Sequence, residues 1–168
     1  GFHDDISRGP VPTLDFQKKQ VRTLAAYKVN TFSPYYEHTL AYDANPLIAA
    51  PGGAMTHADV KELVAYAANY HVDIIPEQEA FGHLHHVLKY EIYSPLGETP
   101  HGHVLAPGQP GSLPLIRQMF ADVAFRMFDG VLRPDPGLLD ERAVGEPLHE
   151  DRIDEREIER FEPRLHRA

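Results

Sequence analysis

The stretch IIPEQEAFGH, residues 74–83, most constrains what this chain can fold into. A run rich in β-branched residues at 72–75 stops at Pro76, and Glu77, Gln78 and Glu79 follow at once. Proline has no N–H to give a sheet ladder, so a strand pauses or ends there. Gly82 is expected to turn the chain and His83 to open a helical segment. Polar side chains crowded just past the C-terminal end of a buried strand are what a barrel enzyme uses to hold its substrate.

The neighbouring segments set that strand in a repeating order. Residues 1–7 read as a short strand ended by polar groups and a Gly9-Pro10 break. Thr13 is the expected N-cap of a helix running to about Lys28, with Val21, Leu24, Ala25 and Lys28 near one face. Residues 29–36 have strand character, and a loop rich in Pro, Ala and Gly covers 38–54. Thr56 caps a second helix with Asp59 three residues on. Its Val60, Leu63, Val64, Ala67 and Ala68 follow helical spacing closely. Residues 83–90 read as a short helix and 98–111 as a second long loop. Ser112 is the expected cap of a third major helix with Ile116, Met119, Phe120, Val123 and Met127 as its apolar face. Strand and helix alternate, which implies a parallel sheet. The long loops fall on the strand C-terminal side, which favours an α/β fold that is part of a (β/α)8 barrel, about three to four βα units.

Residues 1–128 carry this pattern, and 129–168 do not. From Asp140 the chain is mostly charge, with too few apolar residues to finish a barrel, and reads as a solvated tail with helical ion pairs. The formal net charge of -9 excludes a basic nucleic-acid-binding face. With no cysteine, thiolate chemistry and disulfides are excluded. No apolar run reaches the length of a bilayer span, and no signal peptide is visible. The chain begins at Gly1 rather than Met, which leaves its compartment open.

Four pieces, in order, resemble the first half of the catalytic barrel of glycoside hydrolase family 20, the β-N-acetylhexosaminidases. GFHDDISR resembles the first-strand motif and KVNTFSPYYEHT the second strand with its Lys-x-Asn start. THADVKELVAYAANYHVDIIPEQEAFGH resembles the second helix and third strand, whose family pattern ends Pro-Glu-x-Asp-x-Pro-Gly-His. LPLIRQMFADVAFRMF resembles the helix before the fourth strand, and GHLHHVLKYEIYSPLGE looks closest to the hexosaminidase D subgroup. Glu79 stands where the commoner pattern has Asp, and Phe81 where it has Pro. Tyr35, Tyr36, Glu37 and His38 replace the second-strand His-Leu-Thr-Asp-Asp of larger members. The Arg expected before Gly1 is absent, and nothing after Phe128 matches the fourth-strand His-x-Gly-x-Asp-Glu. Asp140-Glu141 is an acid pair without the preceding His and Gly.

The resemblance implies retaining hydrolysis in which the substrate's own acetamido oxygen is the nucleophile, an exception to the two-carboxylate scheme. It implies that His83 sits beside the general acid and is held by a carboxylate of the second strand, with Glu37 the candidate. Asp5, Arg8, Tyr35, Glu77 and Glu79 are the candidate sugar-binding residues, with no cofactor and no metal. The expected partner is an N-acetylhexosamine-containing glycan, with no nucleic acid and no membrane. A chain without the Asp-Glu pair is expected to be inactive alone. As an open half-barrel it is expected to associate through its sheet edges. Each residue has a plainer reading: a histidine packed at a helix start, solvated acids, an Asp5–Arg8 structural pair, and tyrosines that simply pack. Two other functions stand beside the hydrolase. One is a metal-dependent barrel hydrolase using His83, His86 and Glu79, or His101 and His103; the other is a non-catalytic carbohydrate-binding fragment.

Overall fold

A computed structural model describes residues 1–100 and 102–127. The expectations for His101, for the tail 129–168 with its Asp140-Glu141 pair, and for the side chain of Met127 lie outside the described residues.

Three lengths of chain line up in parallel. β1 (Phe2–Asp5) pairs with β2 (Thr31–Tyr36), Phe2 opposite Phe32 and Asp5 opposite Tyr35. On its other side β2 pairs first with β3 (Asp73–Ile74) and then with β4 (Glu77–Gln78). Thr31 faces Asp73 and Tyr36 faces Gln78, so the register is unchanged across the break. β3 and β4 are one strand interrupted opposite Pro34, which has no N–H to give the ladder; residues 73, 75 and 79 donate to β2, so the Pro76 nitrogen faces away from it. The expected strand at 72–76 therefore runs on to Gln78, with Ile75 and Glu79 still donating to the Phe32 and Tyr36 carbonyls. This is a mixed α/β fold on a parallel sheet.

Two helices cross over between these strands. α1 (Leu14–Ala26) starts at Thr13, whose hydroxyl accepts from the Phe16 N–H. Gln17 and Val21 are its buried residues, while Leu24 and Ala25 are partly buried. Lys28 falls past the helix end in a left-handed conformation. α2 (His57–Ala68) has the expected capping box, the Thr56 hydroxyl taking the Asp59 N–H while the Asp59 carboxylate takes the Thr56 N–H. Val60, Leu63 and Ala67 are buried on one stripe, and Ala68 is exposed. The core lies between these helices and the sheet, around Phe32, Tyr36, Leu63 and Ile74, all at 1% exposure or less.

The later segments depart further from the sequence pattern. α3 is four residues, His85–Leu88, not 83–90. α4 (Ser112–Ala121) has Gly111 at its N-cap, and the Ser112 hydroxyl donates to the Ala106 carbonyl rather than capping the helix. Leu115 and Met119 carry its buried face with Val123 beyond it, and Phe120 points outward. The chain continues from α4 into a π-helical turn, Asp122–Met127. Among the described residues no helix is long and apolar enough to cross a membrane.

Candidate active site

The C-terminal ends of β1, β2 and β4 open on one side of the sheet. Alternation places Tyr35 and Glu37 on one face of β2 and its continuation, and sends Tyr36 into the core. Gln78 also turns inward. It accepts from the Tyr42 hydroxyl and donates to the Glu79 carbonyl at 2.9 Å, which fixes the chain as it leaves β4. Glu77 and Glu79 then share the outer face.

An open cleft of about 620 Å³ lies here, lined by Ser7, Arg8, Gly9, Glu37, His83, His85, His86 and His103. Its size suits a small ligand. Gly9 takes a φ of 96°, a conformation that glycine adopts without cost. Glu37 is buried, and its Oε1 lies 2.8 Å from Arg8 Nη2. Arg8 Nη1 also grips Asp5, whose other oxygen accepts the Ser7 N–H at 2.9 Å. Burial raises the Asp5 pKa, but the Ser7 N–H and Arg8 outweigh it, and the carboxyl ends below its ordinary 3.8. Ser7 closes the ring by accepting the Glu37 N–H at 2.8 Å.

Glu79 is anchored by its own backbone. Its Oε1 accepts the N–H groups of Ala80, Phe81 and Gly82 at 3.0, 2.9 and 3.1 Å. Its Oε2 accepts from the Tyr35 hydroxyl at 3.0 Å and lies 3.7 Å from His83 Nδ1. Burial alone would push the Glu79 pKa up; the Phe81 N–H, the Tyr35 hydroxyl and the two other N–H groups bring it below the ordinary 4.5. Burial, with Glu79 and Glu37 beside it, pushes the Tyr35 phenol up.

The turn into this wall is made by His83, not Gly82. His83 has a φ of 52°, whereas Gly82 is not among the residues of positive φ. A left-handed backbone at a non-glycine residue costs about 1–2 kcal/mol and marks functional sites more often than chance. The nest of N–H groups around Glu79 Oε1 holds the chain there.

Of the residues singled out from sequence, Arg8, Glu37 and His83 line the cleft; Asp5 and Tyr35 bond to them, and Glu79 bonds to Tyr35 and lies 3.7 Å from His83. The carboxylate against His83 is Glu79, while Glu37 is engaged by Arg8 and by Tyr35 at 3.2 Å. Glu77 stands apart, 3.0 Å from His3 Nε2, with both side chains about half exposed. Sequence reasoning missed Ser7; His85 and His86 are exposed, and their rings face the open cleft. It also missed His38, whose ring stacks on His86 with centroids 3.8 Å apart. Adjacency to Glu37 was the one signal that could have found His38. His83, His86 and Glu79 do not bring three ligand atoms together. Among the described residues the converging set is Asp43, His57 and Asp122, whose ligand atoms lie within 4.8 Å of one another, and none of these lines the cleft.

His38, stacked on His86 beside the cleft, makes the stability of the fold depend on pH. Burial first, then the nearby His86 and Lys89, lower its pKa from 6.5 to about 4. Between those values the unfolded chain holds a proton that the folded chain refuses, so stability falls as pH drops from 6.5 towards 4. The ring is only partly buried, so the loss is on the order of 1–2 kcal/mol after allowing for solvent. Urea titrations at pH 7 and pH 4 should show a smaller loss for His38→Phe than for the wild type.

Residues 1–125 match the family described as "Glycosyl hydrolase family 20, catalytic domain". The chain belongs to glycosyl hydrolase family 20. That catalytic domain is a TIM barrel, in keeping with the parallel sheet and crossover helices seen here. The GH20 β-N-acetylhexosaminidase of Streptomyces coelicolor A3(2) is 25% identical and superposes with a TM-score of 0.62, covering 72% of this chain and 29% of that one. A Streptomyces plicatus β-hexosaminidase mutant (D313N) in complex with product GlcNAc is 24% identical, with a TM-score of 0.63 over 72% of this chain and 29% of its own. The Flavobacterium johnsoniae chitobiase is 23% identical with a TM-score of 0.64, covering 73% of this chain and 21% of that one. The last two show the fold alone. The chain spans less than a third of the length of each of these structures. No curated protein matches it.

Proposed function

We propose that the cleft is the sugar-holding part of a β-N-acetylhexosaminidase site, one that removes terminal N-acetylhexosamine from glycans by substrate-assisted retaining hydrolysis. The observation that carries this reading is the convergence of Arg8, Glu37 and His83 on one cleft in a chain of this family. Arg8, with Asp5, Tyr35 and Glu79 bonded around it, acts on the sugar, and His83 and Glu37 support the proton donor; Glu77, paired with His3 away from the cleft, has no part in this reading. GHLHHVLKYEIYSPLGE supports assignment to the hexosaminidase D-like subgroup.

His-x-Gly-x-Asp-Glu is absent from the sequence, so we assign binding to this chain and turnover to a chain that also carries that pair. The edge strands favour association with a complementary half, since Phe2 and Ile75 are 42% and 48% exposed. Calorimetric titration with N-acetylglucosamine is the test. Saturable binding that Arg8→Ala abolishes, with no release of 4-nitrophenol from the aryl N-acetylglucosaminide, is the expected result. Absence of binding by the folded chain overturns the reading. Turnover by the chain alone overturns the division of labour.

A further inference from the structure

Asp43, His57 and Asp122 come from three separate parts of the chain, and one ligand atom from each lies within 4.8 Å of the other two. None of them lines the cleft. The backbone brings two of them together. The Ala41 N–H donates to the Met55 carbonyl at 3.0 Å, and Asp43 and His57 each follow that pairing by two residues. Tyr42, beside Asp43, is buried and donates to Gln78, which anchors the loop there. Asp122 arrives from the end of α4, where the chain packs against α2, and is 2% exposed. The His57 Nδ1 is 3.8 Å from Asp43 Oδ1, beyond hydrogen-bond reach. Its Nε2 is shut off from solvent and has no hydrogen-bond partner among the described residues. A His–Asp ion pair accounts for Nδ1 alone. A buried polar atom in this position calls for an ion or a water.

We propose that Asp43, His57 and Asp122 bind one divalent cation of the zinc type, at a site separate from the cleft. Two carboxylates and an imidazole are donors that zinc and its transition-series neighbours take, whereas magnesium and calcium prefer sets made of oxygen alone. Three protein ligands and a water make a tetrahedral shell for zinc. Ligand atoms in such a shell stand roughly 3.3–3.5 Å apart, so the set closes by about 1 Å when the ion enters. Asp43 supplies that movement, since its side chain is 52% exposed, while Asp122 is held in the packed interior. His57 sits at the start of α2, where the helix carries about half a positive charge; two carboxylates outweigh it. A carboxylate kept from water gains from a cation at its side. The ion ties the loop after β2 to α2 and to the end of α4, and so stabilises the fold in proportion to how tightly it binds.

The site stands whether or not the cleft holds a sugar. Its test is calorimetric titration of the full chain, freed of metal with a chelator, with zinc chloride, alongside thermal unfolding. Wild type should bind one equivalent more than His57→Gln. Asp43→Ala should weaken that equivalent at least about tenfold. His83→Ala, which alters the cleft, should keep it, which sets the other histidines apart. Zinc at a hundredfold excess over its Kd should raise Tm by about 5–10 °C, and magnesium at the same concentration should not. Equal zinc uptake by wild type and folded His57→Gln overturns the proposal. So does an equivalent lost in His83→Ala but kept in His57→Gln, and so does stabilisation by magnesium equal to that by zinc. If His57→Gln does not fold, unchanged zinc affinity in Asp43→Ala, altered only at a half-exposed side chain, overturns it instead.

Discussion

Phe32→Ala is expected to destabilise the chain by about 3–5 kcal/mol, a large share of the stability of a domain this size. Phe32 is the second residue of the central strand and is fully buried. It sits opposite Phe2 on one neighbour and Ile74 on the other, and its ring stacks on Phe2 with centroids 6.3 Å apart. Its loss opens a hole where three strands meet, and the short β3 has little else to hold it. The cost is transfer plus cavity, since prolines near the break limit how far the sheet can collapse. A shift in the urea midpoint with the slope unchanged is the signature. A loss below 1 kcal/mol would mean that the sheet does not form the core.

Glu79→Ala should cost about 2–3 kcal/mol, with its damage concentrated at the turn. Three N–H donors and the Tyr35 hydroxyl converge on this carboxylate, whose side chain is four-fifths buried. Truncation leaves those donors to find water, and it removes the nest that keeps His83 at positive φ. Amide exchange at Phe81 and Gly82 should speed up far more than in α1 or α2. Glu79→Gln keeps an acceptor in place and should be milder. Because the Glu79 pKa is below its ordinary value, this contribution is present above about pH 4.5 and is lost on acidification through the folded-state pKa.

The elements with strong periodicity and cap chemistry were legible in the sequence. Thr13 and Thr56 start their helices as their side chains require, and Val60, Leu63 and Ala67 face the core. The failures share a physical cause. Ser112 looked like a cap, yet a tertiary partner, the Ala106 carbonyl, captured its hydroxyl. Gly82 looked like the turn because glycine is the cheap choice; the backbone nest at Glu79 makes His83 take the conformation instead. In the site, Arg8, Glu37 and His83 were picked through the motifs that resemble the family, and the structure brings these three to one cleft. Which carboxylate faces which partner could not be read. Tyr35 and Glu79 are 44 residues apart, and only the parallel register brings them together.

The backbone of His83 sets folding and chemistry against each other at one position. A residue without a side chain would rest there more easily than an imidazole, so His83→Gly would relieve the loop while stripping the cleft of the ring that faces Glu79. Keeping a histidine there means tolerating a standing penalty, and selection for robustness alone would be expected to replace the imidazole that lines the cleft.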